Sequence, residues 1–521
     1  MKNKDKEPQK VVLVILEGWG VAPQSKGNAI SVAKTPNFDN LIKTYPVGVL
    51  RASGEAVGLV KSQASSAVVG HLNIGAGRVI RRGISEIDQA ISDGSFFNNK
   101  ILIKAVASGL RTRSNLHIIG HLSGKNYNQL RAILQLLQGQ KVSDAYFHII
   151  LGGGGSYNDG LNLVAEFENE LDDAGVGKIL TVSGQDYTMD LDSHWDMIEK
   201  SYQAIVLGQS EEVYSSASEA IKASYDNQIF DSEIKPVVID QGGGVSFKNQ
   251  DSVILVSSET ERMREFTKAL ALPTFSKFER KYLNKLLVTT MVEYDPDLPV
   301  IVVYESRSIG NTLSEVVALN HLEQIKIAET ERYAHLTYFF NGQNEQFESE
   351  TRRLVPAQEV SSYDEQPEMS LKEIVAKTTE AIMSDHYALT VVSIANPDLV
   401  AHSGDIKATV QAVEATDVVI GKISDLVLAK GEVLVVVSSH GNAEEMINLQ
   451  SGEVDKNHNI YPVPFLVVGE RWEGIVLGGL DIPGTDLSLI KPIGTLIDVA
   501  PTVLNIMGLD QPKEMTGKSL V

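Results

Sequence analysis

VVLVILEGWG, residues 11–20, decides how the chain folds. Six apolar residues, Val11–Leu16, run without a polar interruption before an acid, a glycine, a tryptophan and a second glycine. A strand with one wet face alternates apolar and polar side chains. An unbroken run is buried on both faces, the habit of parallel sheets covered by helices. The run is too short for a signal-peptide core and far too short to span a bilayer. It reads as a first strand, with Glu17 at its carboxyl end.

Similar runs recur as LHIIG (Leu116–Gly120), AYFHIIL (Ala145–Leu151), ALTVVSI (Ala388–Ile394), EVLVVVS (Glu432–Ser438) and PFLVVGE (Pro464–Glu470). Between them lie segments of helical period, such as NYNQLRAILQLLQ and LNLVAEFENELDDAG. The alternation predicts an α/β protein with parallel sheets. A chain of 521 residues is too long for one ordinary core, so two domains are expected. GRVIRRGIS (Gly77–Ser85) and YESRSIGNT (Tyr304–Thr312) interrupt the pattern and read as crossings between them. The second domain, about residues 81–308, is then inserted into a first built from about residues 1–80 and 309–521. The N-terminal strand would join the C-terminal sheet.

A net charge of −21 offers no basic footprint for DNA or RNA. The absence of cysteine excludes disulfides, thiolate catalysis and thiolate metal sites, and suits a cytoplasmic protein. No later segment is a membrane span, and nothing in the sequence names a protein partner.

Ligands of parallel sheets gather beyond the carboxyl ends of the strands. Those ends carry metal-ligand residue types here: Glu17, then ANPDLVAHSG after the run ending at Ile394, then SHGNAEEM with His440, and His458 ahead of Pro464. In PDLVAH, Asp398 and His402 stand four apart, so a helix starting at the proline turns both to one face. Alone, the pair reads as a helix-start acid and an unrelated histidine. With His440 and His458 also at strand ends, a cation site is the favoured reading. Carboxylate with imidazole suits Mn, Zn or Fe better than Ca. The run Gly152–Gly155 reads as a turn, with an anion cradle as its alternative. His71 reads as a structural hydrogen-bonding residue, and RRGISE as a solvated hinge.

Taken together the motifs resemble those of the cofactor-independent (2,3-bisphosphoglycerate-independent) phosphoglycerate mutases of the alkaline phosphatase superfamily. VILEGWG, ASGEAVGL, VGHLNIGAGRV, YTMDLDSHW, MVEYDP, IAETERYAHLTYFFNG, YDEQPEMS, ANPDLVAHSGD, SHGNAEEM, HNIYPVPF and DVAPTVLNIMGLDQPKEMTGKSL follow that family's order from end to end. The resemblance implies an alkaline-phosphatase-like domain holding two Mn²⁺ ions, with an inserted phosphotransferase-like domain. It also implies a reaction in which a serine takes the phosphate of 3-phosphoglycerate and returns it to the 2-position.

Carried over position by position, that resemblance exposes losses. The family's Gly-Asn-Ser-Glu-Val-Gly-His is here Ser65-Ser66-Ala67-Val68-Val69-Gly70-His71, so the nucleophile position is Ala67. Asp398, His402 and His458 keep the first metal set. The second keeps His440, has Glu17 for an aspartate and Ser439 for another, and is expected to be weak. The acid/base histidine falls near Asn128. Among the substrate clamps, Gly155 replaces an aspartate, and Gln185, Leu191 and Glu259 replace arginines. Arg262 survives, and Arg332 stands for a lysine. These changes remove the nucleophile, one cation site and much of the charge facing an anionic substrate. The expectation is a mutase-like chain holding one ion, Mn²⁺ with Zn²⁺ or Fe²⁺ as alternatives, that binds a small phosphorylated metabolite without mutase turnover. A one-metal hydrolase of another phosphate ester and a working mutase stay open as alternatives.

Overall fold

The structure is a computed structural model that describes residues 8–521, apart from 82, 113, 125, 154–156, 241–245, 306–307, 449–450, 478–484 and the side chains of 109–112. The chain divides into two compact units, one Met1–Arg81 with Arg307–Val521, the other Arg82–Ser306. Both junctions fall inside the interrupting segments. Within RRGISE, read as a solvated hinge, a helix already begins at Ile84 and runs to Ser92.

The discontinuous unit is built on an eight-stranded sheet, in the order Glu350–Val355, Gln324–Glu329, Leu389–Ile394, Val11–Leu16, Val433–Ser438, Val463–Val468, Val47–Arg51, Gly494–Thr495. Val11–Leu16 lies between two parallel neighbours and is buried throughout. Its side chains divide between the two faces. Val11, Leu13 and Ile15 enter one apolar cluster, with Phe340, Val499 and Leu504. Val12, Val14 and Leu16 enter another, with Phe38, Ile420 and Ile423. This explains the missing alternation. Val463–Val468 is also buried throughout but runs antiparallel to both of its neighbours, so the sheet is mixed and not wholly parallel. Burial on both faces dictates apolar side chains whichever way a strand runs.

The second unit holds another eight-stranded sheet, ordered Ile301–Tyr304, Leu287–Val292, Ser252–Val256, Leu116–Leu122, Tyr146–Leu151, Lys178–Gly184, Val237–Ile239, Val213–Tyr214. Only the pairing of Lys178–Gly184 with Val237–Ile239 is antiparallel. Among the described residues no helix is long and apolar enough to cross a membrane.

Three in-register strands place the chemistry. Leu16 pairs with Ile394 on one side and Ser438 on the other, so the chain leaves the sheet at one level after all three. Two glycines let the following loops close. Gly18 has φ +68°, and a Cβ there would lie 2.7 Å from the Asp398 Cα. At Gly70, inside the helix Ala67–Ala76, a Cβ would lie 2.5 Å from the Ser439 carbonyl oxygen. Gly70→Ala is expected to cost about 1–3 kcal/mol through this backbone clash, read as a lowered denaturation midpoint.

The second unit buries a polar chain in its sheet. His117 and His148 face each other with Nδ1 and Nε2 3.1 Å apart, His148 Nδ1 lies 2.9 Å from Thr181 Oγ1, and His117 Nε2 lies 3.4 Å from Asp251 Oδ2. Burial pushes both imidazoles below their ordinary pKa, His148 furthest. A histidine depressed in the folded state is free to protonate only on unfolding. Its stabilisation is therefore present above the unfolded value, near ~6.5, and is lost as pH falls below it. The thermal midpoint should fall between about pH 7 and pH 5, and His148→Gln should flatten that slope.

Candidate metal centre

Asp398 stands in the first turn of the short helix Asn396–Ala401, which Pro397 helps to start. One turn on, His402 brings its Nε2 to 3.4 Å from Asp398 Oδ1. His458, from the loop ahead of Val463–Val468, brings its Nε2 to 3.3 Å from the same oxygen and 3.1 Å from His402 Nε2. Metal–ligand bonds of ~2.0–2.1 Å in a tetrahedral site separate the donor atoms by ~3.3 Å, so the three atoms already have the spacing of a cation's ligands. Both imidazoles are fixed from behind. His402 Nδ1 donates to the Lys456 carbonyl at 2.7 Å, and His458 Nδ1 to the Ser65 carbonyl at 2.9 Å. That leaves each Nε2 lone pair facing the site. Asp398 is fully buried. Burial alone would push its carboxyl up, but His440, His402 and His458 outweigh it and hold the group well below the carboxylate range. The hydrogen bond to Asp398 in turn raises the His402 pKa. Residues Asp398, His402 and His458 thus fit a divalent cation.

The expected second set is arranged differently. Glu17, Ser439 and His440 are all buried. Glu17 accepts from Ser393 Oγ at 2.9 Å, contacts Ser439 Oγ, and lies 3.3 Å from His71 Nε2. Ser439 Oγ is also 2.6 Å from His440 Nδ1. His440 Nε2 faces away from Glu17 and lies 3.2 Å from Asp398 Oδ1. The residues expected to share a second ion are bound to one another and to the first set. His71, expected to be structural, holds the Ala67 carbonyl through Nδ1 at 2.8 Å.

Ala67 is the first residue of the helix Ala67–Ala76 and brings only a methyl group. Ser66 caps that helix, its Oγ accepting from Val69 N at 3.4 Å. Ser65 Oγ is buried without a hydrogen-bond partner.

Two further neighbours of Asp398 were not expected beside it. Asn442 Nδ2 donates to Asp398 Oδ1 at 2.7 Å, and Arg332 Nη2 contacts Asp398 Oδ2. Asn442 sits two residues past His440, which was the available signal. Arg332 was expected among the substrate clamps; its contact with Asp398, 66 residues away, had no local signal.

In the inserted unit, Leu191, Glu259 and Arg262 line a recess of about 220 Å³ together with Ser258, Thr260 and Glu261. Arg262 Nη1 reaches the Met189 carbonyl at 3.5 Å. Gln185 opens a short helix beside Gly152 and Gly153, while Gly155 lies outside the described residues. Asn128 is exposed on the helix Tyr127–Gly139 and is not the inward-facing residue of its loop. His121 and Asn126 are buried instead, with His121 Nε2 2.8 Å from the Gly152 carbonyl and Asn126 Nδ2 donating to His121 Nδ1 at 3.0 Å. Helical phase decides this, since residues two apart face different sides. Asp190, Asp192 and His194 also bring ligand atoms within 4.8 Å of one another, but Asp190 already holds the His194 N–H and Nδ1.

Comparison with known proteins identifies the family. The family model of the Metalloenzyme superfamily matches residues 9–511. The 2,3-bisphosphoglycerate-independent phosphoglycerate mutase of Clostridium beijerinckii is 39% identical over 520 residues, covering 98% of both chains. That of Clostridium perfringens is 40% identical over 520 residues, covering 98% of this chain and 99% of its own. The crystal structure of Leishmania mexicana phosphoglycerate mutase at low cobalt concentration superposes with a TM-score of 0.64 at 27% identity, over 99% of this chain and 98% of that one. With these matches spanning both units and the segments that bear Asp398, His402 and His458, the chain belongs to the 2,3-bisphosphoglycerate-independent phosphoglycerate mutases of the Metalloenzyme superfamily.

Proposed function

We propose that this chain keeps the family fold and one divalent-cation site, binds a small phosphorylated metabolite, and no longer interconverts 3- and 2-phosphoglycerate. The observation that carries the reading is Ala67, a methyl group at the position that resembles the family's nucleophilic serine. Family membership implies a divalent metal, and Mn²⁺ is the ion proposed for Asp398, His402 and His458. A cation held there supplies a Lewis acid to a phosphoryl oxygen.

The residues around it support binding over transfer. The Ser65 and Lys456 carbonyls keep His458 and His402 in the tautomer that offers Nε2. Glu17 is hydrogen-bonded to Ser393 and Ser439, and Ser439 in turn to His440 Nδ1. Ser66 is committed to capping its helix. In the inserted unit Leu191 is exposed and Glu259 brings a negative charge, so Arg262 is the one guanidinium among the residues lining the recess. Without the paired forks of further arginines, an anionic glycerate has little to hold it during a second transfer.

Three measurements test the reading. After loading and mild dialysis, elemental analysis should find about one transition-metal ion per chain, and Asp398→Asn should abolish its retention. Two tightly held ions in the wild type would overturn the one-cation reading. With Mn²⁺, 3-phosphoglycerate should give no signal in an enolase-coupled assay above a His402→Ala control. Ala67→Ser should stay within about tenfold of that control, because the hydroxyl would face a site lacking its second cation. Robust turnover by the wild type would make the chain a working mutase. Metal-dependent release of phosphate from p-nitrophenyl phosphate would make it a one-metal hydrolase.

A further inference from the structure

Asp398 uses its two oxygens differently. Oδ1 faces the Nε2 atoms of His402, His440 and His458, while Oδ2 is held by Arg332 Nη2. Arg332 is itself buried at 8% exposure, on the short helix Thr330–Ala334 that follows the Gln324–Glu329 strand. His440 links the two carboxylates: its Nε2 lies 3.2 Å from Asp398 Oδ1 and its Nδ1 3.6 Å from Glu17 Oε2. His71 Nε2 lies 3.3 Å from Glu17 Oε1. The guanidinium and the Glu17 carboxylate therefore belong to one enclosure.

We infer that Arg332 is a positioning residue that takes the place of a second metal ion, neutralising Asp398 from the side away from the three histidines and limiting the centre to one cation. This rests on the one-cation reading above. The charges agree with it. Asp398 and Glu17 bring two negative charges, and Arg332 with one divalent ion brings three positive ones. A second divalent ion would raise that to five, in a buried space where like charges repel strongly. It would also find Glu17 bonded to Ser439, and His440 Nε2 already turned to Asp398 Oδ1 at 3.2 Å. Arg332 Nη2 contacts Asp398 Oδ2, while its Nε is buried without a hydrogen-bond partner. The contact with Asp398 is thus its principal engagement in this space.

Ion counting on four proteins tests the inference: wild type, Ser439→Asp, Arg332→Gln and the double variant. Each is loaded with Mn²⁺, and bound ions are read by elemental analysis and by the electron paramagnetic resonance signature of a coupled Mn²⁺ pair. Wild type and both single variants should hold about one ion per chain, and the double variant about two. Arg332→Gln should bind its single Mn²⁺ at least about tenfold more tightly by calorimetry, because a neighbouring positive charge has gone. Unchanged or weaker binding in Arg332→Gln would mark the arginine as merely structural and overturn the inference. A coupled pair in Ser439→Asp would overturn it too, and needs no change at Arg332, so the test survives if Arg332→Gln does not fold. Two ions in the wild type would instead defeat the one-cation reading itself.

Discussion

The register between three parallel strands governs everything built above it. Leu16 lies level with Ile394 and Ser438, so the chain emerges from the sheet at one height three times, side by side. Backbone hydrogen bonds continue past the strand ends, from Glu17 N to the Ile394 carbonyl and from Ser439 N to the Leu16 carbonyl, both at 3.0 Å. Glu17, Ser439 and the approach to Asp398 are thereby set before any side chain interacts. Because the strands are buried on both faces, a slip in register would carry each side chain to the wrong apolar cluster, and the sheet resists it.

On that platform the two halves of the centre follow different physics. Asp398, His402 and His458 keep the spacing that a cation needs, with carbonyls behind the imidazoles to fix their tautomers. At Glu17, Ser439 and His440 the protein meets its own polar needs. A buried carboxylate must be balanced by something, and for Glu17 the hydroxyls of Ser393 and Ser439 and the imidazoles of His71 and His440 do the balancing.

Much of the fold was legible because an unbroken apolar run has few explanations. Val11–Leu16, Leu389–Ile394 and Val433–Ser438 are strands where the sequence placed them, in one sheet. Strand direction was not legible at Val463–Val468, since double burial selects the same side chains for either direction. Within the site, the i and i+4 spacing of Asp398 and His402 declared itself locally. Arg332 did not, because only the folded sheet brings it to Asp398. In the inserted unit, alignment by analogy pointed to Asn128, while the turn of the helix exposes that residue and leaves Asn126 and His121 inside.

The mutual bonding of Glu17, Ser439 and His440 also sets how this part of the site answers substitution. An aspartate at position 439 would set a second buried carboxylate against Glu17, with no added cation to separate them. The hydroxyl of Ser439 does the opposite: it serves a carboxylate on one side and an imidazole on the other, so one small neutral group keeps two ionisable ones apart.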